Sequence, residues 1–209
     1  AMNSYYGHEM IGIWQEGEDI ANSAQPFAQP GFLKFKDQND DGTINNADLV
    51  ILGNADPDFT FGLMNSFSYQ NFDLNIFIQG VYGVELLNGN WLRAFYPIDY
   101  TRNRIADPWL NRWTPENPTN EYPSGYEYNS YGGSQVHSLT VQDASYLRIQ
   151  SIRLNYNIPM DNVGFIRSSA ISLAVNNAFT FTNYVGYNPE ASTSTEMTVR
   201  GEFNAYPLA

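Results

Sequence analysis

The stretch DQNDDGTINNAD, which runs from Asp37 to Asp48, has residue types and spacing that could bind a metal ion. A calcium loop of the EF-hand type places oxygen ligands at its first, third, fifth, seventh, ninth and twelfth positions, with glycine at the sixth. Gly42 stands at the sixth position here. The ligand positions hold Asp37, Asn39, Asp41, Thr43, Asn45 and Asp48, and Thr43 would contribute its backbone carbonyl. The spacing predicts a structural Ca²⁺ site.

A second interpretation of this stretch is a polar surface turn. The twelfth position holds Asp48 rather than glutamate, and the shorter carboxylate reaches a metal less easily with both oxygens. Asp-Asp-Gly and Asn-Asn sequences also occur in ordinary turns, because their side chains bond the local backbone. Both interpretations remain open, and the six ligand positions favour the calcium site.

The segment 83–143 is rich in Trp and Tyr and contains a second group of candidate residues. Aromatic faces beside Arg and Asn side chains suit contacts with sugars or peptides. The candidates for substrate contact are Trp91, Arg93, Trp109, Arg112 and Trp113. Two alternatives are that these aromatic side chains form a small core of the segment, or that they dock a second protein.

The residues that could carry catalysis form no recognisable arrangement, which predicts a protein that is not an enzyme. His8 and His137 are the only histidines, lack ligand spacing and are interpreted as surface residues. Cysteine is absent, which excludes disulfides and thiol chemistry. The net charge of −12 argues against nucleic-acid binding, which needs a basic face.

Four segments alternate between apolar and polar residues, which predicts β-strands at 58–70, 72–82, 146–158 and 168–181. Soluble strands usually have about 5–6 residues, whereas a tilted strand needs about 9–11 to cross a membrane. Each predicted strand has large apolar side chains on one face and small polar ones on the other. The alternation alone is compatible with a soluble sandwich and with a membrane barrel.

The connections between these strands favour the barrel. A tight turn at Gln70-Asn71 joins the first two strands, and the short link PMDNVGFIR joins the last two. The segments 16–57 and 83–143 are long by comparison. Short turns on one side, long loops on the other and Phe and Tyr near strand ends are typical of outer-membrane barrels. The sequence therefore predicts an all-β, antiparallel transmembrane β-barrel segment.

Several motifs occur in a fixed order along nearly the whole chain. They are LGNADPDFTFG, NFDLNIFIQGVYG, ASYLRIQSIRLNYNIP and VNNAFTFTNYVGYNPE, and they follow the Asp-rich loop. This ordered set resembles the C-terminal barrel of SusC/RagA-family TonB-dependent transporters of the Bacteroidetes. The resemblance implies that 1–209 is part of a barrel of about 22 strands, with the plug domain absent from this chain. It also implies that the chain contributes about five long strands with short periplasmic turns, the first of them near 5–15.

The resemblance also implies location and function. The chain is expected in the outer membrane of a Gram-negative bacterium, where TonB, acting through the missing N-terminal part, drives import of oligosaccharides or peptides. Glycan uptake together with a SusD-like surface lipoprotein is the expected arrangement. Segments 16–57, which contains the calcium-type loop, and 83–143 are expected to be extracellular loops.

The barrel and its alternative differ in what the apolar strand faces contact. In the barrel, lipid contacts Leu63, Phe67, Leu74, Ile76, Leu173 and Val175, and the interior contacts Ser66, Asn75, Ser172 and Asn176. In a soluble, calcium-stabilised β-sandwich that binds carbohydrate, the same apolar residues pack against a second sheet.

Overall fold

The computed structural model describes residues 3–89, 106–125, 136–160 and 168–190. The strands are β1 (Ser4–His8), β2 (Met10–Ile13), β3 (Leu33–Phe35), β4 (Leu49–Asn54), β5 (Phe59–Tyr69), β6 (Phe72–Tyr82), β7 (Glu85–Leu87), β8 (Val141–Asp143), β9 (Tyr146–Ile158) and β10 (Ser169–Thr182). A 3-10 helix spans Asn46–Asp48, and a short helix α1 spans Ala106–Leu110. Across these described ranges, no helix is long and apolar enough to cross a membrane.

The chain divides into two compact units that alternate along the sequence. The strand unit comprises 57–84 and 144–184, and the loop unit comprises 1–56, 85–143 and 185–209. The strand unit contains the four long strands. The loop unit contains the short ones, so the long connections predicted from the sequence have secondary structure of their own.

The strand unit is one antiparallel sheet with the order β10-β9-β6-β5. Its strands have 11, 11, 13 and 14 residues in chain order, which confirms the four predicted long strands. The turn between β5 and β6 is tight because Gln70 adopts the left-handed conformation, with φ of 51°. The link between β9 and β10 lies partly outside the described residues.

Cross-strand register keeps most of the large apolar side chains of the strand unit on one face, with Met64 and Phe77 among the exceptions on the other. Phe67, Leu74, Leu154 and Leu173 are successive partners across the four strands. Ile149 and Ile152 are three residues apart, a spacing that would put them on opposite faces of a regular strand. A bulge leaves Gln150 without a partner on β6, so that both isoleucines face the same side.

The loop unit consists of three short antiparallel pairs, β1-β4, β2-β3 and β7-β8. The strand predicted near 5–15 is therefore two short strands, β1 and β2, that pair with strands of the segment 16–57. At Gly7 a Cβ atom would overlap the backbone carbonyl of Val136, so glycine permits the close approach of a distant segment.

Small, separate cores hold the loop unit together. They contain Ile13, Leu33, Phe35 and Trp113; Tyr5, Ala55 and Val141; and Trp14, Ala28 and Phe32. Buried Gln25 adds a polar connection, because its amide donates to the Leu33 carbonyl at 3.1 Å and accepts from the Phe35 N–H at 2.8 Å. These segments are distant in sequence, so only the folded chain forms these cores.

Candidate functional site

The first half of the acidic loop 37–48 folds around its own side chains. Asp37 accepts the Gly42 N–H at 2.7 Å, and Asp41 accepts the Thr43 N–H at 2.9 Å. Asn39 Oδ1 accepts the Asp41 N–H at 3.2 Å. Gly42 has a φ of 79°, a conformation that glycine adopts without strain, so the sharp turn lies where the calcium pattern requires it.

The second half of the loop is a capping box of the 3-10 helix. Asp48 is 0% exposed, and its two oxygens accept the N–H groups of Gln38 and Asn45, each at 2.8 Å. Burial acts to raise the pKa of Asp48, but the N–H groups of Asn45, Gln38 and Asn39 outweigh burial and hold this pKa below its usual value. Asp48 is therefore a buried, ionised carboxylate that bonds the backbone.

These hydrogen bonds, together with burial, limit which of the predicted ligands could coordinate a cation. Asp37, Asn39 and Asp41 lie on the exposed half of the loop and keep unused lone pairs. The oxygen of Asn45 accepts the Ala47 N–H at 2.8 Å and likewise keeps a second lone pair, whereas Asp48 is fully buried and both of its oxygens accept backbone N–H groups. Within the described ranges, no group of three or more His, Cys, Asp or Glu side chains could hold a metal ion. Asp48 is thus the predicted ligand whose oxygens are buried away from the others, and the calcium site stays a prediction.

Both histidines are buried, so their interpretation as surface residues is wrong. The Nε2 atom of His8 lies 3.1 Å from the Asn45 carbonyl oxygen, which connects β1 to the acidic loop. The ring centroids of His8 and His137 lie 5.4 and 6.0 Å from that of Phe35. Burial lowers the pKa of His137 to about 3, and proximity to His8 contributes to this shift. The sequence showed no sign of this pair, because the two positions are about 130 residues apart and nothing local marks them as buried.

The structure separates the predicted substrate-contact residues. Trp113 is 6% exposed, packs in the core with Leu33, and donates from Nε1 to Gln15 at 2.8 Å. Trp113 is therefore a core residue, which removes it from the accessible set and agrees with the alternative that aromatics of this segment form a core. Trp91 and Arg93 lie outside the described residues.

Trp109 and Arg112 form one half-buried unit at the end of α1. The Arg112 guanidinium carbon lies 4.1 Å from the centroid of the Trp109 ring, and Nη1 donates to the Trp109 carbonyl at 2.6 Å. The helix is braced by the Tyr122 hydroxyl, which donates to Asp107 at 2.8 Å. Burial, followed by this bond to Asp107, raises the pKa of Tyr122 to about 12. A cation stacked on an aromatic ring is thereby held in place at the surface of the loop unit.

The strand unit presents two chemically different faces. On the apolar face, Leu63, Phe67 and Leu173 are 51%, 59% and 67% exposed. The opposite face contains Ser66, Asn75, Ser172 and Asn176. Their cross-strand partners on neighbouring strands, including β9, place all four on this face. A sandwich would bury the apolar residues against a second sheet, whereas in the described chain they are exposed.

Comparison with curated proteins finds TonB-dependent receptors of Formosa agariphila. Receptor P26 is 33% identical over 193 residues, which cover 90% of this chain and 19% of the relative. Receptor P3 is 33% identical over 208 residues, which cover 98% of this chain and 20% of the relative. No protein-family model matches the chain.

Comparison with solved structures supports the same fold. A chain in the structure of the RagAB peptide transporter matches with a TM-score of 0.69 and 20% identity, over 90% of this chain and 20% of that one. The RagAB peptide importer in its closed-closed state matches with a TM-score of 0.66. This chain spans about a fifth of the length of the relatives that it matches. Over most of its length the chain is therefore similar in sequence to about one fifth of the length of TonB-dependent receptors, and it shares the all-β fold of the matched part of the solved chains.

Proposed function

We propose that the chain is the C-terminal part of the barrel of a TonB-dependent transporter in the outer membrane of a Gram-negative bacterium. The observation that carries this proposal is the continuous, exposed apolar face on four long antiparallel strands. Lipid is the environment in which such a face is stable, and strands of 11–14 residues are long enough to cross the hydrocarbon region. The two outer strands, β5 and β10, would pair with other strands of the same receptor, because open sheet edges are not tolerated in lipid.

A matched pair of arginine substitutions on β10 tests this orientation. Leu173 and Ser172 are adjacent, both are exposed, and they lie on opposite faces of the sheet. In the full receptor, L173R is expected to destabilise folding into phospholipid vesicles by about 2–4 kcal/mol, because a charge on the lipid face is costly. S172R, facing the interior, is expected to have a much smaller effect. Equal costs, or a larger cost for S172R, would contradict the proposed orientation.

The imported substrate is proposed to be an oligosaccharide or a peptide, taken up with a SusD-like surface lipoprotein and with TonB acting on the N-terminal part of the receptor. Similarity to the RagAB peptide transporter supports the peptide alternative, and the SusC-type motifs support glycan uptake. Radiolabelled oligopeptides and oligosaccharides, supplied separately to cells that express the full receptor, distinguish the two. Loss of uptake in a TonB-deficient strain is expected for the true substrate class.

The segments 16–57 and 83–143 are proposed to face the exterior and to meet substrate or lipoprotein. Trp109 with its stacked Arg112 is the described pair best suited to this role, and Trp91 and Arg93 remain candidates. Trp109→Ala in the full receptor is expected to reduce uptake, which is measured in parallel with lipoprotein association. Reduced uptake with intact association supports substrate contact. Loss of both in step indicates docking, and no change in either rejects both roles. Leu110→Ala is the control, since Leu110 is its exposed neighbour.

The loop 37–48 is proposed to bind one structural Ca²⁺ through Asp37, Asn39, Asp41 and the Thr43 carbonyl. External calcium would supply positive charge to an acidic loop, and the hard oxygen donors of its exposed half suit this ion. The exposed Asn45 could add the second lone pair of its oxygen. Asp48 would become a ligand only by leaving its buried position, where both of its oxygens accept backbone N–H groups.

Two variants, D41N and D48N, distinguish Ca²⁺ ligands from residues that stabilise this loop through hydrogen bonds to its backbone. Ca²⁺ is expected to raise the melting temperature of the loop unit in the full receptor, and D41N is expected to abolish this increase. D48N is expected to lower stability by about 1–3 kcal/mol even in chelator, because a buried N–H loses its acceptor, while the Ca²⁺-induced increase persists. If D48N abolished the increase as well, Asp48 would be a ligand. If Ca²⁺ had no effect on the unaltered receptor, the loop would be a polar turn.

A further inference from the structure

The polar face of the strand unit contains a hollow that the proposed function does not use. Its volume is about 410 Å³, and it spans all four long strands. The lining residues are Met64, Asn75, Ser151, Arg153, Ala174 and Asn176. Asn75 on β6 and Ala174 on β10 are the cross-strand partners of Arg153, and their short side chains leave space beside the arginine.

Arg153 is the charged residue of this hollow, and it is exposed. Asp73 is diagonal to it on the same face, but the Asp73 oxygens accept Ser68 Oγ at 2.6 Å and Asn157 Nδ2 at 2.8 Å. Among the residues that the structure describes, the ion pairs are Lys34–Glu18 and Lys36–Glu9, both in the loop unit. The guanidinium of Arg153 therefore has no carboxylate partner within the described sheet.

The remaining groups of the hollow are suited to an acceptor. Arg153 has five N–H donors and no acceptor atom, and the amides of Asn75 and Asn176 add further N–H donors. The oxygen of Asn75 is already used, because it accepts from Ser66 Oγ at 2.7 Å. A donor-rich hollow with one uncompensated positive charge fits an anionic oxygen group, and a planar carboxylate matches the guanidinium with two parallel hydrogen bonds.

We propose that the hollow holds the carboxylate of an Asp or Glu side chain from another segment of the same receptor polypeptide, paired with Arg153. This inference rests on the proposed function, in which the polar face lines the barrel interior. The relatives are roughly five times as long as this chain, and a receptor of that length would contain ample polypeptide to cover that face. A covered arginine without a counter-charge is strongly unfavourable, and a carboxylate removes that cost. Met64, at the edge of the hollow, would contact the methylene groups of the same side chain.

Photo-crosslinking in the full receptor tests the pairing. Benzoylphenylalanine replaces Ala174 in the hollow or, as the control, Ala170, which lies on the same strand and face but outside it. After illumination in the membrane without substrate, position 174 is expected to cross-link to a peptide of the same receptor that contains Asp or Glu close to the attachment point. In the R153Q background this yield is expected to fall by about tenfold, the effect of losing a charge-assisted hydrogen bond. R153K, which keeps the charge, is expected to lose less, and cross-links from position 170 are expected to be unchanged.

The results that would overturn the pairing differ from those that would overturn the proposed function. Phospholipid adducts at position 174 would overturn the proposed function itself, because the polar face would then contact lipid. Absence of a cross-link within the polypeptide, or a yield that R153Q leaves unchanged, would overturn the pairing and leave the function standing. A cross-link that forms only to added oligopeptide or oligosaccharide would also overturn it, since the hollow would then contact substrate.

Discussion

The two units of the chain obtain their structure in different ways. The strand unit is a single sheet whose large apolar side chains are exposed, so its order comes from register, backbone pairing and a proposed lipid surround. The loop unit has short strands and several small cores in which segments from distant parts of the sequence meet. Polar groups such as Gln25 and Asp48 are buried in it with specific partners. A substitution that enlarges or removes a side chain is therefore expected to lower the stability of the loop unit more than that of the strand unit.

Removing the Trp113 side chain should have the largest effect. It packs with Ile13, Leu33 and Phe35, so W113A is expected to destabilise the loop unit by about 3–5 kcal/mol. Hydrogen exchange in the full receptor, followed by mass spectrometry, should show faster exchange in 10–35 and no change in β5, β6, β9 and β10. Faster exchange in both units would mean that they do not respond independently. L110A is the control, because Leu110 is 75% exposed and its loss should have little effect.

A pair of glycine substitutions compares the two units directly. Gly31 has a φ of 91°, and a Cβ atom there would lie 2.5 Å from a ring carbon of Trp113 and 2.7 Å from Ser124. Gly80 has no such backbone requirement. A Cβ atom there would overlap the Phe61 ring more closely than the Gly31 Cβ overlaps Trp113, but Phe61 lies on the exposed apolar face. G31A is expected to cost about 2–4 kcal/mol from backbone strain and overpacking, and G80A below about 1 kcal/mol, because the Phe61 ring can turn away. Thermal unfolding of each variant measures the difference, and a larger cost for G80A would contradict the comparison.

Mild acid should affect the loop unit selectively through His137. Its pKa of about 3 in the folded chain lies below the ordinary value of about 6.5, so the unfolded chain takes up the proton first. The stability contribution is complete above pH ~6.5 and is lost progressively as the pH falls towards 3. At pH 5 the loss amounts to about 2 kcal/mol.

Hydrogen exchange at pH values between 7 and 5, corrected for the intrinsic rate, measures this loss in the loop unit. H137L, which cannot be protonated, should weaken the pH dependence of opening, whereas the exposed β5 and β10 strands should show none of it. An unchanged pH dependence in H137L would assign the effect to a group other than His137. Asp48 is not that group, because backbone N–H groups hold its pKa below the usual value despite burial, so its contribution is lost only in acid stronger than pH 5.

The sequence by itself determined the four long strands, their two faces and the turn at Gln70. These features are local, because a period of two assigns each side chain to a face without reference to distant residues. Gly42 was placed correctly at the sharp turn of the acidic loop for the same reason. The ordered motifs were sufficient to indicate the family, since each motif is a continuous stretch of sequence.

Only the tertiary structure decided which residues of the long connections are buried. The sequence separation between Trp113 and its hydrogen-bond partner Gln15 is 98 residues, and 128 residues separate Met10 from the Ser138 hydroxyl that bonds it. No local pattern distinguishes the buried Trp113 from the half-buried Trp109, or shows that the Asp48 carboxylate is buried against the N–H groups of Gln38 and Asn45. Burial and hydrogen-bond partners in these small cores depend on which distant segments contact each other in the folded chain. The periodicity of the sequence does not contain that information.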